Sequence, residues 1–296
     1  MDARDIKAIA PEVKDHRYLE KIYELQKELI DHYVKIEGLP PYPINVNPKK
    51  SQVLIKDFVG RVIEELGEGY ESMILIDKIS IETKYWQGEY TKNQAIMCID
   101  HLQNVSEEFA DAMHFMTELL IYVNIQPEDI HKYILKAYDK EYLQFFKEEE
   151  TDILNEAMMF GLYQLVGDNE LDGAIHPVNL LTSLVESVSA PLTWDEIGSP
   201  VLYQAGSVYS HSLYLETKKC LWDVTYHLNI ARNFLKNKPW KQSQMMTDEI
   251  HFQEEIVKAF IAMMGAFRYL NLDSETLYQI YFKKHEANAF RIRSNY

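Results

Sequence analysis

The chain has 296 residues, 47% hydrophobic and 26% charged, with a formal net charge of −16; that is enough for one large domain or two small ones with a full core. The charge, with no long Lys/Arg run, argues against a nucleic-acid binder, and two cysteines, Cys98 and Cys220, are too few for a disulfide framework or a zinc site. No apolar stretch approaches ~18 residues, so no membrane span is expected.

The opening Met1-Asp2-Ala3-Arg4-Asp5 lacks the apolar core of a signal peptide, so a cytoplasmic protein is expected. Residues 17–37 predict an amphipathic helix with Leu19, Ile22, Tyr23, Leu25, Leu29, Ile30 and Tyr33 on its apolar side, closed by Gly38. The proline-rich stretch from Leu39 to Pro48 predicts a loop. Ser51 then reads as the N-cap of a long helix running to about Lys78, with Gly60, Gly67 and Gly69 inside it. Each interior glycine costs about 1 kcal/mol against alanine, and one that persists can mark the close approach of a neighbouring helix.

After an aromatic connection around Tyr85 and Trp86, a second long helix is predicted over 93–123, then one opening at Pro127 and running through Phe145. Further helices follow over 149–167, 178–189, 199–217, 219–236, 244–270 and 274–290. Val and Ile fall in helical rather than alternating patterns, so the fold class is all-α: a helical bundle.

Two acidic runs carry the chemistry: Glu64-Glu65-Leu66-Gly67-Glu68 and Glu107-Glu108-Phe109-Ala110-Asp111. Residues three apart share a helix face, so Glu65 with Glu68, and Glu108 with Asp111, each aim two carboxylates the same way. Flanking apolar residues (Val62, Leu66, Phe109, Met113) set both pairs near a helix–helix seam. Most acidic residues on amphipathic helices are simply solvated; two such pairs at a seam repel unless cations fill the site, and hard oxygen ligands suit Mg²⁺ or Mn²⁺.

A shift of 147 residues (255 − 108) lays Glu107-Glu108 on Glu254-Glu255, Met116 on Met263, Asn124 on Asn271 and Lys136 on Lys283. An internal duplication is the expectation: one all-α domain over 1–296, with a half at 1–148 bearing the metal site and a degenerate half at 149–296. In the second copy Lys258 stands where Asp111 stands in the first, and Ser212 to Leu215 replace the Glu65/Glu68 region without carboxylates. The C-terminus is basic within an acidic chain, with Lys283, Lys284, Arg291 and Arg293. A solvated helix end, which also suits cations, competes there with a phosphate-binding segment.

The paired E-x-x-E and E-x-x-D, the continuation Asp111-Ala112-Met113-His114-Phe115, the stretch Leu25-Gln26-Lys27-Glu28-Leu29-Ile30, and the C-terminal run from Lys284 through Asn288 and Arg291 to Tyr296 resemble the all-α nucleoside triphosphate pyrophosphohydrolases. Among these, MazG proteins, phage dCTPase–dUTPases and dimeric dUTPases, the dimeric dUTPases are most similar. The resemblance implies Mg²⁺ bound by Glu65, Glu68, Glu108 and Asp111, with Glu65 or Glu68 orienting or deprotonating water. It implies Lys284, Asn288, Arg291 and Tyr296 on the triphosphate, a nucleotide as substrate, and a homodimer. Gln26, Ile30, Trp86 and His114 fall where base and sugar contacts are expected.

The chain departs from the family pattern at Ile30, which stands for an asparagine, and at His285, Ile292 and Asn295. An apolar Ile30 cannot hydrogen-bond a base. The base is therefore open between uracil, another pyrimidine such as cytosine, and, in a phage-encoded protein, a modified one. Two other classes compete. A di-iron carboxylate bundle would use Glu-x-x-His pairs, of which Asp111-x-x-His114 is the nearest fragment. A non-catalytic interaction protein would not need all four carboxylates.

Overall fold

The computed structural model describes residues 6–14, 17–82, 91–138, 211–238, 240, 242, 244–270, 272 and 274–294. Among these, seven helices and no strand occur: α1 (Tyr18–Ile36), α2 (Lys49–Glu82), α3 (Lys92–Tyr122), α4 (Pro127–Tyr138), α5 (His211–Phe234), α6 (Glu249–Tyr269) and α7 (Ser274–Arg293). The predicted helices at 149–167 and 178–189, with Tyr85, Trp86, Asn295 and Tyr296, lie outside the described residues.

Helix α1 buries the predicted stripe from Leu19 to Ile30 and ends before Gly38, whose φ of +70° places it in the left-handed region that a glycine enters without a Cβ penalty. Ser51 is not the N-cap of α2: the helix already runs from Lys49, and the Gln52 amide donates to the Pro48 carbonyl (3.0 Å). Proline just ahead of a first turn stops the helix from extending backwards, a stronger boundary than the serine. Helix α3 starts with a capping box, in which Thr91 and Gln94 satisfy each other's backbone amides. It stops at Asn124, which takes φ +61°, while the Ile125 amide returns to the Leu120 carbonyl (2.9 Å). The break expected at residue 218 is absent, and α5 is continuous through it.

Helices α2 and α3 form an antiparallel pair: Phe58 stacks on Tyr122 (5.2 Å), Gly69 meets Phe109, and Asn104 donates to Ser72 (3.0 Å). Helices α5 and α6 form a second: Gly265 lies against Cys220 and His227 pairs with Glu255 (2.8 Å). The pairs join through α5 on α2 and α6 on α3, with α1 and α7 packed on each other and on α3. Phe109 and Phe267, both buried, mark the seam at 5.4 Å between ring centres.

A polar knot ties the proline-rich loop to the α5–α6 connection. Gln52 accepts from the Asn237 amide (2.8 Å) and donates to the Val46 carbonyl and to Thr247. Asn237 also donates to the Asn47 and Met245 carbonyls. Buried polar groups remain there because every one shown is paired.

The two antiparallel pairs do not follow the expected shift of 147, and the internal duplication stays an expectation. Glu108 lies beside Gly69, whereas Glu255 faces His227, a displacement of 158 (227 − 69), not 147. Ser212 to Leu215 therefore sit about three turns from the place opposite Glu255, and Asp223 to Tyr226 take it.

Candidate active site

Helices α2 and α3 bring three of the four expected carboxylates together. Single oxygens of Glu65, Glu68 and Glu108 lie within 4.8 Å of one another. Gly69 makes this possible. A Cβ there would stand 2.6 Å from the Phe109 ring and 3.4 Å from the Glu108 Cβ, so the bare backbone lets α3 approach. Gly60 and Gly67 have open space instead.

Burial, then the charges of Asp111 and Glu108, push the Glu65 carboxyl up to about 7, and Glu65 and Glu108 hydrogen-bond each other. Glu108 is raised as well, first by burial. Burial and the neighbouring carboxylates outweigh the pull of Lys284 on Glu108, an arrangement that favours a proton shared by two such acids. An all-oxygen donor set that would otherwise share a proton fits Mg²⁺ or Mn²⁺.

Asp111 is placed differently. Its carboxylate is ion-paired with Lys284 of α7, Nζ to Oδ2 2.5 Å, with side chains only 14% and 19% exposed. Burial still raises the Asp111 carboxyl, more than Lys284 and Arg291 pull it down.

A cavity of about 350 Å³ opens from this point. Its charged end includes Glu65, Asp111, Lys284, Asn288 and Arg291, the last three on one face of α7 at i, i+4 and i+7. Asn288 accepts from Arg291 (3.2 Å). Its other end includes Leu39, Leu54, Phe58, Phe115, Arg61, Tyr33 and Glu118. Arg61 bonds Asp57 (3.0 Å) and lies over the Phe115 ring. The sequence reading missed these residues, although Asp57, Arg61 and Glu65, spaced by four on α2, and Asp111, His114 and Glu118 on α3 carry the necessary periodicity.

Gln26 and His114 line the cavity as expected, and they are joined: the Gln26 carbonyl accepts from Tyr281 (2.5 Å) and lies 2.9 Å from His114 Nδ1. Burial first, then the nearby His285 and Lys284, lowers the His114 pKa, so the ring is neutral. An acceptor on the Nδ1 side puts the proton there, and leaves Nε2, buried without a partner, as an acceptor. Ile30 is fully buried in the core and does not line the cavity. His285 is likewise buried away from it, and Tyr296 and Trp86 lie outside the described residues.

Carboxylates converging opposite a cationic helix place this molecule among all-α proteins with a candidate divalent-cation centre. Residues 208–296 match the model of the dUTPase family, in its dimeric all-α form, and the resemblance read from sequence holds over that stretch. The match covers α5 to α7 and so includes Lys284, Asn288 and Arg291, but not the helices with the acidic runs. No curated protein and no solved structure matches the chain.

Proposed function

We propose that the protein is a divalent-cation-dependent nucleoside triphosphate pyrophosphohydrolase that converts a pyrimidine deoxynucleotide, dUTP or a relative such as dCTP, to its monophosphate and pyrophosphate. The observation that carries this reading is one cavity lined by Glu65, a member of the carboxylate cluster, and Asp111 together with the row of Lys284, Asn288 and Arg291. The family match over α5 to α7 supports it.

Glu65, Glu68 and Glu108 would hold Mg²⁺ or Mn²⁺, with Asp111 joining once Lys284 lets go. When bound, such an ion supplies Lewis-acid stabilisation of phosphate charge and acidifies water. Lys284 and Arg291 bind the triphosphate oxygens and offset the charge that builds on the departing pyrophosphate. Glu65 or Glu68 would orient the attacking water or take its proton. Aromatic and apolar walls at Phe58, Phe115 and Leu54 exclude water around the base.

A di-iron reading has less support. His114 spends Nδ1 on Gln26 and is absent from the carboxylate cluster. The duplicated architecture, one half active, rests on the two antiparallel pairs and on Lys258, which bonds Glu255 (3.1 Å) where Asp111 stands beside Glu108 in the first pair. Homodimer assembly rests on the family match alone.

The test is a panel of ribo- and deoxynucleoside triphosphates with Mg²⁺, scored for both monophosphate and pyrophosphate. Pyrophosphate release from a pyrimidine deoxynucleotide is expected. Failure on every member of the panel would sink the proposal.

A further inference from the structure

Glu118 lies on the same face of α3 as Asp111 and His114, and all three line the cavity. Seven residues of helix put it roughly 10 Å along the axis from Asp111. That is about the span from the inner phosphate of a nucleotide, across its sugar, to the far edge of a pyrimidine. The residue is only 5% exposed, and among the described residues no hydrogen bond or ion pair engages its carboxyl group. Buried carboxyl groups ordinarily have partners, and one left open to a cavity points to a ligand.

We propose that Glu118 reads the base, its carboxyl group meeting the donor and acceptor at positions 3 and 4 of a pyrimidine. The inference rests on the nucleotide reading above and adds a residue that holds the 3,4-edge of the pyrimidine. Ile30, in the core, takes no part in that contact.

The surroundings suit the role. Phe58, Phe115 and Leu54 give a flat ring apolar walls. The charged and titratable groups around Glu118 are Arg61, Glu37, Tyr33, Tyr122 and Tyr281. Arg61 bonds Asp57 and lies over the Phe115 ring, and forms no ion pair with the Glu118 carboxyl group. Burial outweighs the pull of Arg61 and raises Glu118 to about 7. Its neutral form offers one donor and one acceptor side by side. Uracil presents N3–H beside O4, and cytosine N3 beside its 4-amino group, and either pair meets a carboxyl group with two hydrogen bonds.

The experiment compares the full chain with its Glu118→Gln and Glu118→Met variants on dUTP, dCTP, dTTP and dATP with Mg²⁺. Glutamine keeps a donor and an acceptor, whereas methionine keeps only the length and avoids burying an unpaired polar group. For E118M, kcat/KM on dUTP and dCTP should fall about 10- to 100-fold, mostly through KM. For E118Q the values should stay within about fivefold. An E118M that keeps the wild-type kcat/KM on the pyrimidines, or an E118Q that behaves like E118M, overturns the inference alone. A wild type inactive on every triphosphate removes the nucleotide reading, and this inference with it.

Discussion

Lys284 of α7 bonds the Asp111 carboxylate of α3 across the mouth of the cavity, both side chains largely shielded from solvent. A cation of the chain thus occupies a carboxylate that the cation site would use. Lys284→Met should tighten Mn²⁺ binding in the absence of nucleotide by about tenfold, because a competing charge is removed. The same variant should lower triphosphate turnover on the order of 100-fold, through loss of a phosphate contact. Glu65→Gln and Asp111→Asn should each lower turnover on the order of 1,000-fold with an unaltered helical circular-dichroism spectrum. Titration calorimetry with Mn²⁺ checks the first effect; Mn²⁺ binding that weakens in K284M would show that the lysine supports the metal site instead.

Gly69 should be the glycine of α2 that cannot be replaced. Gly69→Ala gains helix propensity of about 1 kcal/mol but drives a methyl into the buried Phe109 ring. Overpacking of that kind costs about 1–3 kcal/mol, so a net loss of stability is expected, with displacement of Glu108 and weaker cation binding. Gly67→Ala has open space and should stabilise. Urea melts of both variants decide it. Equal stabilisation by both would mean that α2 and α3 stand further apart.

Stability of the metal-free protein should fall between pH 6.5 and 8. Glu65 and Glu118 are raised to about 7 in the folded chain, while the unfolded chain titrates near 4.5. In this window the folded state holds protons that the unfolded state has lost, and stability drops as pH removes them. The lowered pKa values of His114 and His285 act oppositely, adding stability as pH rises towards their ordinary value of 6.5, and are spent above it. Melting temperatures in chelator at pH 6.5, 7.2 and 8 should decline, less steeply in E118Q. A rise across that window would mean that neither carboxyl group is raised.

Ile30→Asn, which introduces the asparagine expected from the dimeric dUTPases, should not alter base preference. Ile30 is sealed in the core, so an amide there is buried without a planned partner, at a cost of about 3 kcal/mol. A shift in base ranking, measured at a temperature where the variant is folded, would return Ile30 to the site.

The all-α class and most helix boundaries were legible because apolar spacing and proline or glycine stops act locally. The Glu65, Glu68 and Glu108 convergence was legible for the same reason, being two i, i+3 patterns on sequential helices. Asp111 was grouped with them by spacing, but its partner Lys284 lies on a helix far along the chain, and no local pattern reports a long-range ion pair. Ile30 looked like a lapse in a binding motif. Its burial depends on how α1 rotates against its neighbours, which an amphipathic stripe leaves loosely set. Glu118 looked like one more acidic residue among 46, since only the packed cavity distinguishes it from a solvated one.

Helix α7 supplies Lys284, Asn288 and Arg291, and the carboxylates opposite are on α2 and α3. On the ribosome the acidic helices therefore emerge long before the cations that balance them. Until α7 is translated and docks, the nascent chain carries this negative cluster uncompensated, and cellular Mg²⁺ is the cation at hand to screen it. Formation of the cavity therefore waits on α7, the last of the described helices.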